Sequence, residues 1–329
     1  MNTGPVTTVK KNLPALASAT VVPALFAADE RSAKRTREFF TANIRNPNTR
    51  RAYARAVREF SQWCLQNNLP NLGDIEPVHV AAYVEQLRHN GLDAPSVKVA
   101  LAGIRMLFDW LVVGHVMALN PAAAVRGPKH SVKRGKTPTL SATEARALLD
   151  SIDTSTPVGL RDRALIALML FTFARVGAAA ERMCVEDVYV QQRRLRVRLH
   201  EKGGKLHDMP CHHTLEDCLS EYLDGARLRD DPKGWLFRTA KSRAGDLTEN
   251  PMSQPDVYRM IRRRALACGI VTRIGCHSFR ATGITEYLKN GGKLEIAQQM
   301  ANHESARTTG LYDRRDDQLT LDEVERIVI

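Results

Sequence analysis

Arg175, Lys202, His277, Arg280, His303 and Tyr312 are the residues whose types and spacing could do chemistry. They lie in four separated stretches: Phe-Ala-Arg-Val-Gly at 173–177, His-Glu-Lys-Gly-Gly-Lys at 200–205, His-Ser-Phe-Arg at 277–280, and Ala-Asn-His-Glu-Ser through Leu-Tyr-Asp-Arg-Arg at 301–315. Each alone is ordinary. An arginine at a helix end usually answers the helix dipole or a carboxylate, and a lysine beside two glycines usually decorates a turn. Their order is more specific: an arginine, a lysine 27 residues on, an HxxR pair, a histidine 23 residues after it and a tyrosine nine further.

The chemistry these types suit is attack on a phosphodiester. Negative charge then builds on the non-bridging oxygens, and a metal enzyme would meet it with divalent cations. No carboxylate cluster here has metal-ligand spacing, so Arg175 and Arg280 are expected to supply the charge, with His303 as a further donor. Tyr312 would be the nucleophile, made more acidic by the cationic surroundings, with His277 accepting its proton. Lys202 would protonate the leaving oxygen; Lys205, three residues on, is the alternative. There is no GxxxxGK[ST], and no cofactor is expected.

The elements that must position these groups can be read from periodicity. Residues 160–174 are almost continuously apolar, a buried helix that would deliver Arg175 to its rim. Residues 195–210 alternate apolar and polar around Gly203 and Gly204, a β-hairpin with Lys202 at its tip. His277 and Arg280 are three apart and share a helix face. Residues 254–267 read as a basic helix carrying Arg259, Arg262, Arg263 and Arg264, and Ser141 with Glu144 forms a capping box that opens this domain.

The first half is different. Residues 31–60 hold nine basic residues against two acidic ones, with Tyr53, Val57, Phe60 and Cys64 at helical spacing from about Asn48. Further helices are expected near 77–89 and 94–113, ended by Gly91 and Gly114. Residues 126–139 carry Arg126, Lys129, Lys133, Arg134 and Lys136 with two glycines, two prolines and no acid, an extended linker able to follow a phosphate backbone. Residues 12–29 follow Lys10 and Lys11 in outline like a signal peptide, but Pro14 and Pro23 interrupt them, and they are too short to span a membrane.

In bulk, 329 residues suit two domains, and a net charge of +12 favours a polyanionic partner. Six cysteines without a CxxC pair suit reduced thiols in the cytosol. His207, Cys211, His212, His213 and Cys218 offer enough ligands for zinc, but at a spacing that fits no structural zinc pattern.

With those residues in place, the chain resembles the tyrosine recombinase (phage integrase) family over roughly 139–317, and less specifically over its helical first half. The matches are Arg175 as the first arginine, Lys202 as the hairpin lysine, His277 and Arg280 as the HxxR pair, His303 as the second histidine and Tyr312 as the nucleophile. There are departures. The first arginine usually follows Gly-Leu and precedes Ser-Glu, where this chain has Phe-Ala before it and Val-Gly-Ala after it. The second histidine usually follows Leu-Gly, replaced here by Ala301 and Asn302, and HxLR is HSFR.

The resemblance implies a mainly α fold with a small β-sheet in the catalytic domain, arranged as a two-domain DNA clamp. Residues 1–30 would be a disordered tail, 31–125 a helical SAM-like core-binding domain, 126–139 the linker, and 140–329 the catalytic domain. It implies strand cleavage through a 3′-phosphotyrosyl intermediate, exchange through a Holliday junction, and a cytoplasmic, nucleoid-associated homotetramer on double-stranded DNA. Leu321, Val324, Ile327 and Val328 make an apolar stripe that could pack on its own domain or on a neighbouring protomer, and the resemblance implies the neighbour. Arg50, Arg51, Arg55, Lys129, Lys133, Arg134, Lys136, Arg262 and Arg263 are expected to bind DNA. Two alternatives stay open: relaxation of supercoils by a type IB topoisomerase-like monomer, and a DNA-binding accessory protein without catalysis. Lacking an extra arm-binding domain, the chain fits a resolvase or transposon-borne enzyme slightly better than a large phage integrase.

Overall fold

The computed structural model describes residues 22–131, 135–201, 203–241 and 245–313. They fall into two compact units, one within 1–131 and one within 132–329.

The first unit is helical. A 3-10 turn, Ala24–Ala27, leads into α1 (Glu30–Glu38), which continues as a π-helical turn, Phe39–Asn43. Then come α2 (Pro47–Gln66), α3 (Pro77–His89) and α4 (Ala94–Val113), each with proline in its first turn, where the missing N–H costs nothing. Val57, Phe60 and Cys64 of α2 meet Ile104, Leu107 and Phe108 of α4 in one core. The expected tail to residue 30 is too long. Leu25 and Phe26 are 1% exposed, Phe26 packs on Phe108 at 6.0 Å, and Thr36 Oγ1 donates to its carbonyl. Burying two such side chains stabilises by about 1.5–3 kcal/mol each, enough to order a turn that Pro23 begins.

In the second unit residues 135–141 lead to α5 (Ala142–Asp150), whose Ser141–Glu144 capping box is formed. Next is α6 (Pro157–Phe171), with Leu165, Ile166, Leu168 and Met169 at 0% exposure. The short α7 (Val176–Ala179) follows. Strands β1 (Val188–Gln191), β2 (Arg194–His200) and β3 (Leu206–Pro210) form an antiparallel sheet in that order, with His200 opposite Leu206 at the hairpin end. Helix α8 (His213–Gly225) packs on α6.

A second hairpin, β4 (Arg238–Lys241) and β5 (Asp246–Pro251), is a separate two-stranded sheet that the periodicity did not suggest. Its strands are mostly polar and broken by a register shift, so no alternation marks them. The unit closes with α9 (Gln254–Ala267), α10 (Cys276–Lys289), α11 (Leu294–Met300) and α12 (Ala306–Gly310).

Helix α6 is less uniformly apolar than it reads. Asp162 is 0% exposed and holds Arg161 on one oxygen and Arg263 and Arg264 of α9 on the other. A buried carboxylate survives only when so paired. The linker also differs from expectation at its end: the Gly135 N–H donates to the Leu311 carbonyl (2.8 Å), and the Leu140 N–H to Thr282 Oγ1 (2.9 Å). The chain from Gly135 onward is therefore part of the second unit. No helix among the described residues is long and apolar enough to cross a membrane.

Candidate active site

Five of the six expected residues converge in the second unit; Lys202 lies outside the described residues. Arg175 stands at the N-cap of α7, reached from α6 through Thr172, Phe173 and Ala174. Phe173 takes φ +55°, a left-handed conformation that costs a side-chain-bearing residue roughly 1–2 kcal/mol. Burying its ring (3% exposed), edge-on to Tyr287, stabilises by about as much or more, so the turn holds. Room for that ring comes from Gly283 of α10, where a Cβ would lie 2.7 Å from Phe173 and 2.2 Å from the Leu170 carbonyl.

The HxxR pair lies in the first turns of α10. Arg280 is 1% exposed and donates one Nη to the Phe173 carbonyl and the other to the Ala301 carbonyl, tying two loops of the site together. Its Nε has no hydrogen-bond partner among the described residues. His303 follows α11 through Asn302, at φ +45°. Both family glycines that this chain replaces, by Phe173 and Asn302, thus fall where the backbone is left-handed, which explains why glycine is the usual occupant.

Tyr312 is only 7% exposed. Its hydroxyl lies 3.1 Å from His277 Nε2, and its ring stacks on His303 with centroids 5.8 Å apart and planes 11° apart. Its carbonyl accepts from Thr285 Oγ1 at 2.9 Å, and the preceding carbonyl, of Leu311, takes the Gly135 N–H. His303 Nδ1 lies 2.9 Å from Thr309 Oγ1. With that hydroxyl donating, the neutral ring carries its proton on Nε2, a donor for a phosphate oxygen.

The electrostatics follow from crowding cations around partly buried groups. Burial first, then Arg280, Arg175 and His277, push His303 down to about 4, so it is neutral at pH 7. Burial, Arg280 and Arg175 likewise lower His277, although one side of it remains open to solvent. A neutral His277 can accept the proton that Tyr312 must lose. Burial and the neighbouring Arg175 bring Arg280 down to about 10, with Glu201 and Tyr312 opposing, and it remains cationic at pH 7.

Residues 138–318 match the phage integrase family, and residues 39–114 match the phage integrase N-terminal SAM-like domain. The chain belongs to the phage integrase family of tyrosine recombinases. It is 30% identical over 275 residues to the tyrosine recombinase XerD of Corynebacterium glutamicum, covering 80% of this chain and 86% of that one. Two solved structures share the fold. One is XerH recombinase in a post-cleavage complex with a palindromic difH substrate, with TM-score 0.69 and 17% identity over 94% of this chain and 98% of that one. The other is a lambda integrase tetramer bound to a Holliday junction, with TM-score 0.62 and 19% identity over 88% and 79%.

The basic residues expected to reach DNA divide. In this tyrosine recombinase Arg51, Lys129 and Lys136 are exposed; Arg55 is exposed and pairs with Glu59 at 2.7 Å; Arg262 is half-buried. Arg50 donates Nε and Nη2 to the Ile44 carbonyl, and Arg263 donates to Asp162, so both guanidinium groups already serve the protein. Lys133, Arg134 and the apolar stripe at 321–328 lie outside the described residues. Lys205 lies 3.7 Å from Glu304 and is well exposed. Of the zinc candidates, His207 reaches the Met300 carbonyl at 3.1 Å, His212 caps α8 while stacking on Phe171, and Cys218 is in the core.

Sequence reasoning missed the groups that hold the chemical ones: Thr285, Thr309 and above all Glu201, which is 2% exposed and bonded to Arg175 at 2.7 Å. A signal for Glu201 existed. Leu195, Val197 and Leu199 face inward along β2, and continuing the alternation places residue 201 inward too.

Proposed function

We propose that this tyrosine recombinase breaks and rejoins DNA strands with Tyr312 as its nucleophile. The observation that carries the reading is the Tyr312 hydroxyl 3.1 Å from His277, whose pKa is lowered by burial and by Arg280 and Arg175, in a cluster with those arginines and His303. Tyr312 Oη attacks the phosphorus and passes its proton to His277 Nε2, and the bond from phosphorus to the 5′-oxygen breaks. Lys202 gives that oxygen its proton, and the DNA is left on a 3′-phosphotyrosyl bond. Arg175 and Arg280 carry the charge of the transition state, with His303 donating. Because the phosphotyrosyl bond keeps the energy of the broken one, the freed 5′-hydroxyl of another strand reverses the step without ATP.

The substrate is double-stranded DNA, met through the arginine-rich face of α2 and the linker lysines. Strand exchange is proposed to take four copies with residues 319–329 docking between neighbours, in a cytoplasmic protein at the nucleoid. The lambda integrase tetramer on a Holliday junction supports that assembly. A suicide duplex with a nick beside the cleavage site tests the chemistry, because loss of the short 5′-hydroxyl fragment traps the covalent complex. Trapping is the expected result; DNA binding without trapping on any flanking sequence would leave an accessory binder. Recombinant products from two duplexes are expected, whereas relaxation of supercoils without them would support the topoisomerase-like alternative.

A further inference from the structure

We propose that Glu201 is a positioning residue that fixes the Arg175 guanidinium in the orientation in which it meets the phosphate. The two arginines of the site are held in opposite ways. Arg280 is buried, and both of its Nη atoms are committed to backbone carbonyls. The Arg175 side chain is 39% exposed, and among the described residues its one hydrogen bond runs from Nη1 to Glu201 Oε2 (2.7 Å). No acid lies between Arg175 and Ala180 in the sequence, so the carboxylate comes from the end of β2 instead.

Glu201 is built for that task. Its N–H donates to the Lys205 carbonyl at 2.8 Å, and its own carbonyl accepts from Gly204 at 3.3 Å and from Arg182 Nη1 at 3.3 Å. A carboxylate on so fixed a backbone, and with its side chain 3% exposed, has one place to go. It cannot stay buried and charged without its arginine. With Nη1 held, Nη2 and Nε remain as the paired fork that matches two phosphate oxygens. Without Glu201 the guanidinium would sample several rotamers, and the phosphate would have to select one.

Holding the hairpin is a weaker account of the contact. The hairpin base is also secured by His200 on Asp187 (2.8 Å), His207 on the Met300 carbonyl and Arg182 on two carbonyls. Arg175 has no such redundancy among the described residues.

The test rests on the recombinase reading for one arm only. In the full-length chain, Glu201→Gln and Glu201→Asp are compared with wild type for DNA affinity, for trapping on a nicked duplex at saturating protein, and for Arg175 side-chain NMR without DNA. Glu201→Gln is expected to lower the trapping rate by about 10²-fold, the size of effect that a small misplacement of a positioned group produces, with Kd within about 3-fold of wild type. Glu201→Asp should recover at least half of that loss on a logarithmic scale. In wild type the Arg175 Nη signals should be resolved by slow rotation about Nε–Cζ, and in Glu201→Gln they should merge. Full trapping by Glu201→Gln, or a loss matched by a loss of DNA affinity, would overturn the proposal. Unchanged Arg175 signals in Glu201→Gln would overturn it even if wild type trapped no DNA, and that last failure would count separately against the recombinase reading.

Discussion

Tyr312 is where three restraints meet: a hydrogen bond to His277, a stacking contact with His303 and a carbonyl anchored by Thr285. The histidines make this scale testable by pH. At subsaturating DNA, cleavage reports the free enzyme, and His277 is held below its ordinary 6.5. The acid limb of the pH profile should therefore be centred below pH 6.5; a limb centred above it would remove His277 as proton acceptor. His303 bears on stability as well. Its folded pKa of about 4 lies below the ordinary 6.5, so below pH 6.5 the unfolded chain binds the extra proton. Stability is full above pH 6.5, falls as pH drops towards 4 and then levels off, by on the order of 3 kcal/mol for this group. Denaturant melts of His303→Gln should show a smaller acid loss than wild type. Arg175, His277, Arg280, His303 and Tyr312, which the second unit brings together, could be picked out because their types and spacing together are specific, whereas Glu201 could not, because a carboxylate next to a hairpin lysine has no chemical signature until Arg175 is seen against it.

At the scale of elements, two joints decide whether the site is assembled. Gly135 reaches the segment bearing Tyr312, and a Cβ there would stand 2.7 Å from the Leu311 carbonyl that its N–H binds. Gly135→Ala is expected to slow trapping by about 10-fold or more through a displaced tyrosine, while thermal unfolding changes by no more than a few degrees; unchanged trapping would detach this contact from catalysis. Asp162 joins α6 to α9 by holding Arg161, Arg263 and Arg264. Asp162→Ala leaves the buried Arg161 without its counter-ion and should cost about 3–5 kcal/mol, seen as a fall in Tm on the order of 10 °C. The longer helices α2, α3, α4, α6 and α9 and the β2–β3 hairpin were legible from periodicity and turn residues. The β4–β5 hairpin was not, since its polar strands lack alternation, and neither was the ordering of Leu25 and Phe26, which depends on a partner eighty residues away in α4.

For the whole molecule, the net charge of +12 is expected to show as a steep loss of DNA affinity with salt. Arg51, exposed on α2, should contribute about one unit of that slope, so Arg51→Ala should weaken all sequences alike and flatten the salt dependence by about 1. Arg50→Ala, whose guanidinium already serves the Ile44 carbonyl, should leave the slope nearly unchanged. The central claim, a covalent bond between Tyr312 and DNA, is met most directly by one comparison. Wild type and Tyr312→Phe are incubated in EDTA with nicked duplexes from the DNA flanking the gene, and SDS-stable protein–DNA adducts are resolved on a gel. An adduct with wild type and none with Tyr312→Phe is the expected result; an adduct that persists in Tyr312→Phe would contradict the assignment of the nucleophile.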